Sequence, residues 1–198
     1  MGQLRIIGGQ WKRTPIPVHD AQGLRPTPDR VRETLFNWLG QTIPGWHCLD
    51  LFAGAGSLGF EAGSRGAAHV VFVEPEARAA KAIGQLIEKL GASDRLSLVR
   101  GRAQDWLAKA KEPFDLIFLD PPFGQGLIET VLPQAMARLS AQGFLYIESD
   151  QAIDSEWAEK HGLRLIRADK AGAVHYHLLQ HCAVQGEQDA ESRISGDV

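Results

Sequence analysis

Asp120-Pro121-Pro122-Phe123 is the stretch of this chain whose residue types admit the fewest chemistries. It follows the apolar run Phe114-Asp115-Leu116-Ile117-Phe118-Leu119, which reads as a buried strand entering a tight turn. Two successive prolines fix φ and remove two backbone donors, so the local carbonyls point outward as acceptors. A carboxylate, an outward carbonyl and an aromatic ring then share one small cleft. Such a set suits a planar base carrying an exocyclic amine: the oxygens accept its N–H bonds while Phe123 stacks on the ring. Asp120, Pro121, Pro122 and Phe123 are the candidate catalytic residues.

A second constellation lies upstream. Gly54-x-Gly56-x-x-Gly59 follows a strand and opens a helix, and Glu74 lies 20 residues after Gly54 at the end of the next strand. Glycines let the backbone approach a ligand, and a carboxylate after the second strand accepts ribose hydroxyls. A dinucleotide site and a methyl-donor site share this physics, so the motif alone leaves both open. Asp50, four residues before Gly54, moves the balance. It would repel a pyrophosphate but can face the cationic amino-acid end of S-adenosylmethionine. Asp50, Phe52, Ala53, Gly54, Gly56 and Glu74 are the candidate cofactor residues. The plainer alternative for Asp50 and Glu74 is a carboxylate that caps a helix or turn.

Positioning these loops takes a scaffold, and strand and helix signals alternate in the required way. Strands are expected over residues 46–51, 69–73, 96–99, 114–119 and 143–148, with helices over about 57–65, 76–90, 103–110 and 127–139. Two more strands, about 163–168 and 174–179, flank the tight Lys170-Ala171-Gly172 turn. This order implies an α/β fold: a doubly wound, mostly parallel, seven-stranded Rossmann-like sheet ending in an antiparallel hairpin. All three chemical elements then fall at C-terminal strand ends, the rim where open α/β sheets bind ligands. Before the sheet, residues 4–7 and 15–18 around Gly8-Gly9 read as a hairpin-like extension. Thr27 reads as an N-cap and Pro28 as the first residue of a helix running to about Leu39. The chain thus divides into an extension (1–24), an enzyme domain (25–182) and an acidic tail (183–198) with the composition of a disordered segment.

The formal charge is −3, unevenly spread. Residues 1–32 carry Arg5, Lys12, Arg13, Arg25, Arg30 and Arg32 against Asp20 and Asp29, a balance of +4, and the remainder carries −7. A basic end on an acidic body fits an arm that meets phosphates, and a solvated loop would show the same count. These six cations are the candidate contacts to nucleic-acid phosphates; Trp11 either stacks on a base or anchors the arm. Cys48 and Cys182 are too few for a disulfide framework or zinc site, Cys48 reading as a small buried hydrophobe in a reducing cytoplasm. His175, His177 and His181 alternate along an expected strand and read as strand surface, so no metal is expected. No apolar run approaches the roughly 18 residues of a membrane span, and the first residues lack a secretion pattern.

With these residues in view, the chain resembles class I S-adenosylmethionine-dependent methyltransferases and, more narrowly, is similar to the RsmD family. The resemblance covers about residues 3–180. Besides the Asp-Pro-Pro-Phe motif it rests on Arg5-Ile6-Ile7-Gly8-Gly9, on Arg25-Pro26-Thr27-Pro28-Asp29-Arg30-Val31-Arg32-Glu33-Thr34-Leu35-Phe36, and on Leu58-Gly59-Phe60-Glu61-Ala62 behind the glycine loop. It implies methyl transfer to the N2 amine of a guanine in small-subunit 16S rRNA, with the RNA or the assembled subunit as partner and a monomeric cytoplasmic enzyme. Arg25 and Thr27 are then expected to border the cofactor or the substrate cleft, with Thr27 a candidate cofactor residue, and the Ala103 amide to meet the adenine ring. One departure stands out: Arg102 occupies about the place where many class I enzymes carry an acid for the adenine amine. The rivals are an amino-methyltransferase for adenine or protein glutamine, a nicotinamide-dependent oxidoreductase, and a catalytically silent RNA-binding protein.

Overall fold

The computed structural model describes residues 4–18 and 27–182; Arg25 and the acidic tail lie outside them. Among the described residues the elements run α1 (Asp29–Trp38), β1 (His47–Asp50), α2 (Ser57–Ser64), β2 (His69–Glu74), α3 (Ala77–Lys89), β3 (Leu96–Arg100), α4 (Ala103–Leu107), β4 (Phe114–Leu119), α5 (Leu127–Met136), β5 (Leu139–Ser149), α6 (Ser155–Lys160), β6 (Leu163–Ala171) and β7 (Val174–His181). The strands form one sheet in the order β3-β2-β1-β4-β5-β7-β6. β1 to β5 pair in parallel, and β7 runs antiparallel to both β5 and β6.

Strands buried on both faces must be apolar at successive positions, and these are. Cys48, Phe72, Leu116, Phe118 and Tyr146 point into one core with residues of α1, α2 and α3. Leu49, Val71, Ile117, Leu119 and Ile147 point into the other with residues of α4, α5 and α6. The chain runs outward from β1 through β2 to β3 and then returns to β4 on the other side of β1. That reversal sets the C-terminal ends of β1 and β4 side by side, the place where open α/β sheets bind ligands, and Asp50 and the Asp120 turn stand there.

The N-terminal arm is hairpin-like, held by one bridge between Arg5 and Pro15 and by Ile6 N to Thr14 O at 2.9 Å. Ile6 and Ile16 enter the first core. Trp11 is an anchor: it packs on that core, lies beside Gly63, and has the Arg95 guanidinium 5.2 Å from its ring centroid.

Four expectations needed correction. Pro28, at φ −58 and ψ 149, is itself the N-cap of α1, so Thr27 is not the cap. α6 was not foreseen; at six residues it is too short to show a helical period, and its sign is the Asp154 carboxylate capping Trp157 N at 2.8 Å. β5 begins at Leu139, because Leu139 pairs with Phe114 across a register shift that Gly143 accommodates. His177 is buried, not on the strand surface. Its Nε2 accepts from Ile153 N at 3.0 Å and its Nδ1–H donates to Ile147 O at 3.3 Å, so neither ring nitrogen is spare. Burial holds its pKa below the usual histidine range.

Candidate active site

At the end of β1, Asp50 is 2% exposed and its Oδ2 accepts the Gly59 amide at 3.0 Å. The plainer reading of Asp50 is thus partly right: it secures the first turn of α2 while standing beside the glycine loop. Gly54 and Gly56 have φ of 54° and 78°, the left-handed region that favours glycine. A Cβ on Gly59 would land in the Phe72 ring, so the close helix–strand approach requires glycine there. Ala53 O accepts Gly56 N at 2.6 Å to close the turn, and Phe52 packs beneath on the second core. Glu74 accepts Gly54 N at 2.7 Å through Oε2 and Glu76 N at 2.8 Å through Oε1, tying the loop to the end of β2. Each oxygen has a second lone pair for a ribose hydroxyl. The glycine cradle, a buried carboxylate for an ammonium and a second for a ribose fit S-adenosylmethionine. Ala103 is buried at the start of α4, whereas Arg102 before it is exposed.

Asp120 follows β4 and is partly exposed; Pro121 is buried, while Pro122 and Phe123 are exposed. Thr27, 3% exposed, donates its hydroxyl to Asp120 Oδ2 at 3.4 Å, so it borders the Asp120 carboxylate. Two residues in this neighbourhood escaped sequence reasoning. Glu148, on β5 beside Asp120, is 3% exposed, and Tyr146 donates its hydroxyl to Glu148 Oε1 at 2.9 Å. Their signal was Tyr-x-Glu at the end of an apolar strand, a spacing that puts both side chains on one face.

Four carboxylates share one rim, all held above their ordinary pKa by burial and two of them, Asp50 and Asp120, also by their neighbours on it. Burial, then Glu148 and Asp50, push the Asp120 carboxyl well above the usual range, against the Thr27 hydroxyl. Glu148 is raised by burial, opposed by its bonds to Tyr146 and Thr27. Glu74 is raised by burial, opposed by its two amide donors. Burial also lifts Asp50 to about 7, opposed by the Gly59 amide and assisted by Glu74 and Glu148. A cofactor ammonium favours the ionised Asp50, so binding below that pKa expels a proton. Affinity for S-adenosylmethionine is therefore expected to fall about tenfold per pH unit below about 7 and to level off above it. Calorimetric titrations across that range check this, with Asp50→Asn expected to abolish the slope; a flat wild-type profile would remove Asp50 from the ammonium.

The six candidate RNA cations part company. Arg5, Lys12 and Arg13 line a notch of about 290 Å³ together with Asp29 and Glu33. Arg30 is exposed. Arg32 must be withdrawn as an RNA contact, because its side chain is 0% exposed. Its guanidinium bonds Asp29 Oδ1 at 2.5 Å, Arg5 O at 2.9 Å, Thr27 O at 3.3 Å and Glu61 Oε2 at 3.4 Å. Glu61, also 0% exposed, accepts Ile7 N at 2.9 Å and Arg65 Nε at 2.7 Å. This buried pair joins the arm, α1 and α2 at one point.

The family model described as Conserved hypothetical protein 95 matches residues 4–180. Ribosomal RNA small subunit methyltransferase D of Escherichia coli (strain K12) is 41% identical over 199 aligned positions, covering 96% of either chain. The protein of the same name from Haemophilus influenzae is 37% identical over 185 positions, 91% of this chain and 95% of its own. The solved structure of the putative methyltransferase yhhF from Escherichia coli matches with a TM-score of 0.78 at 39% identity, covering 92% of this chain and 99% of its own. Fold and site define a class I S-adenosylmethionine-dependent methyltransferase. Within that class, the chain belongs to the RsmD family. The oxidoreductase alternative falls with that assignment.

Proposed function

We propose that the protein transfers a methyl group from S-adenosylmethionine to the exocyclic N2 amine of a guanine in small-subunit ribosomal RNA. The observation that carries this reading is the partly exposed Asp120 at the end of β4, followed three residues on by Phe123, which is 41% exposed. The names of the relatives support the choice of RNA. S-adenosylmethionine supplies a methyl carbon already activated by its sulfonium. Asp120 and the Pro121 carbonyl accept the two N2–H bonds, hold the amine in line and favour the pyramidal form that attacks. Both bonds strengthen as positive charge grows on nitrogen. The raised pKa of Asp120 suits it to take the proton that the alkylated amine releases. Phe123 stacks on a base turned out of its helix or loop, and the Ala103 amide meets the cofactor's adenine.

Purified protein with labelled cofactor, offered unmethylated small subunits, protein-free 16S RNA and duplex DNA, tests the reading. N2-methylguanosine from subunits or RNA is expected; methyladenine, or no transfer to any of the three, would overturn it. The arm is proposed to hold RNA phosphates through Arg5, Lys12 and Arg13. Lys12→Ala with Arg13→Ala should weaken RNA binding and reduce its slope against log salt by about 1.4, two single-strand phosphates at about 0.7 each. An unchanged slope would take the arm out of the interface.

A further inference from the structure

Asp120 has a companion that the transfer chemistry does not require. Glu148 lies one residue beyond the last paired positions of β4 and β5, Leu119 and Ile147, and so stands beside Asp120 on the neighbouring strand. Residues in register on adjacent strands point to the same face. The two carboxylates are bridged from the third side by Thr27, whose hydroxyl bonds Asp120 and also lowers the Glu148 pKa. Tyr146 holds Glu148 Oε1 at 2.9 Å, which fixes the orientation of the carboxyl.

Asp120 and the Pro121 carbonyl already supply the acceptors that the amine needs. A second carboxylate buried against the first adds repulsion, visible in the upward push of Glu148 on Asp120. That repulsion is relieved by a ligand that presents two N–H donors side by side. Guanine has such an edge, N1–H next to the N2 amine. Adenine and cytosine instead flank their amines with ring-nitrogen acceptors, which a carboxylate repels.

We propose that Glu148 is a specificity-determining residue of the acceptor site, accepting N1–H of the target guanine while Asp120 accepts the adjacent N2–H. The assignment rests on guanine N2 being the methylated atom.

The test places 2-aminopurine at the methylated position of the RNA. This base keeps the 2-amine but carries a bare N1 acceptor in place of N1–H. The readout is kcat/KM for guanine divided by that for 2-aminopurine. The wild type is expected to favour guanine by about ten- to a hundredfold, one charge-assisted hydrogen bond being lost and a carboxylate left facing a lone pair. Glu148→Gln keeps an acceptor for Tyr146 and offers an N–H to N1. It should move the ratio by at least about tenfold towards 2-aminopurine. If the variant transfers too slowly for rates, equilibrium binding of the two RNAs gives the same ratio. A wild type that treats the bases alike overturns the assignment, and so does a variant whose ratio is unchanged. A purely structural role would lower both rates together and leave the ratio where it was. Failure of the guanine reading shows differently, as wild-type protein that forms no N2-methylguanosine on natural RNA.

Discussion

Asp120→Ala is expected to lower single-turnover methyl transfer by at least about a thousandfold while changing cofactor affinity by less than about threefold. The proposed role of the carboxylate is confined to the acceptor amine, where its bond strengthens as charge develops. Rapid-quench transfer and calorimetric cofactor binding separate the two effects. A variant that loses cofactor binding in step with transfer would mean that Asp120 belongs to the cofactor pocket instead.

The second large effect lies away from the chemistry. Glu61→Ala takes from the Arg32 guanidinium, 0% exposed, the fully buried one of its two counter-charges, leaving it only the half-exposed Asp29, and strips an acceptor from both Ile7 N and Arg65 Nε. Breaking one side of a buried pair typically costs about 3–5 kcal/mol. For a domain of this size that lowers the midpoint of thermal unfolding by roughly 6–20 °C. Replacing both partners with apolar residues of similar volume, Arg32→Met with Glu61→Leu, is expected to recover most of the loss. Calorimetry on the three proteins decides it. A single variant within about 1 kcal/mol of wild type would show that water reaches the pair and that it carries no such weight.

How much of this was legible beforehand depends on where the partners sit in the chain. The Asp120 turn and the Gly54–Gly59 loop are contiguous, and turn chemistry is written in neighbouring residues, so both could be read directly. The parallel sheet was legible for a similar reason, as its apolar runs are long and punctuated. Glu148 acquires its meaning only when β5 docks beside β4, and its strand seen alone merely ends in a glutamate. Arg32 was misread because counting cations cannot tell which one points inward, and the buried one of its two counter-charges, Glu61, lies on α2. Thr27 was given a capping role by residue type, but the backbone at Pro28 claimed that position and left the Thr27 hydroxyl to Asp120. His177 lies next to buried Tyr176 on a strand covered on both sides, where alternation carries no information about exposure.

The polar fastening of the arm runs largely through its main chain. Arg5 O, Ile7 N, Gly8 O, Gln10 N and Trp11 N all bond to Arg32, Glu61 or Ser64 on the body. Peptide groups are the same whatever side chain they carry. Provided Ile6, Gly9, Trp11 and Ile16 keep the apolar seat and close approach, the outward positions 5 and 12 form an interchangeable cassette, while position 13, at φ 72°, takes only residues that tolerate a left-handed backbone. Its charge and reach can be rewritten, by evolution or by an engineer, without loosening it from the enzyme beneath.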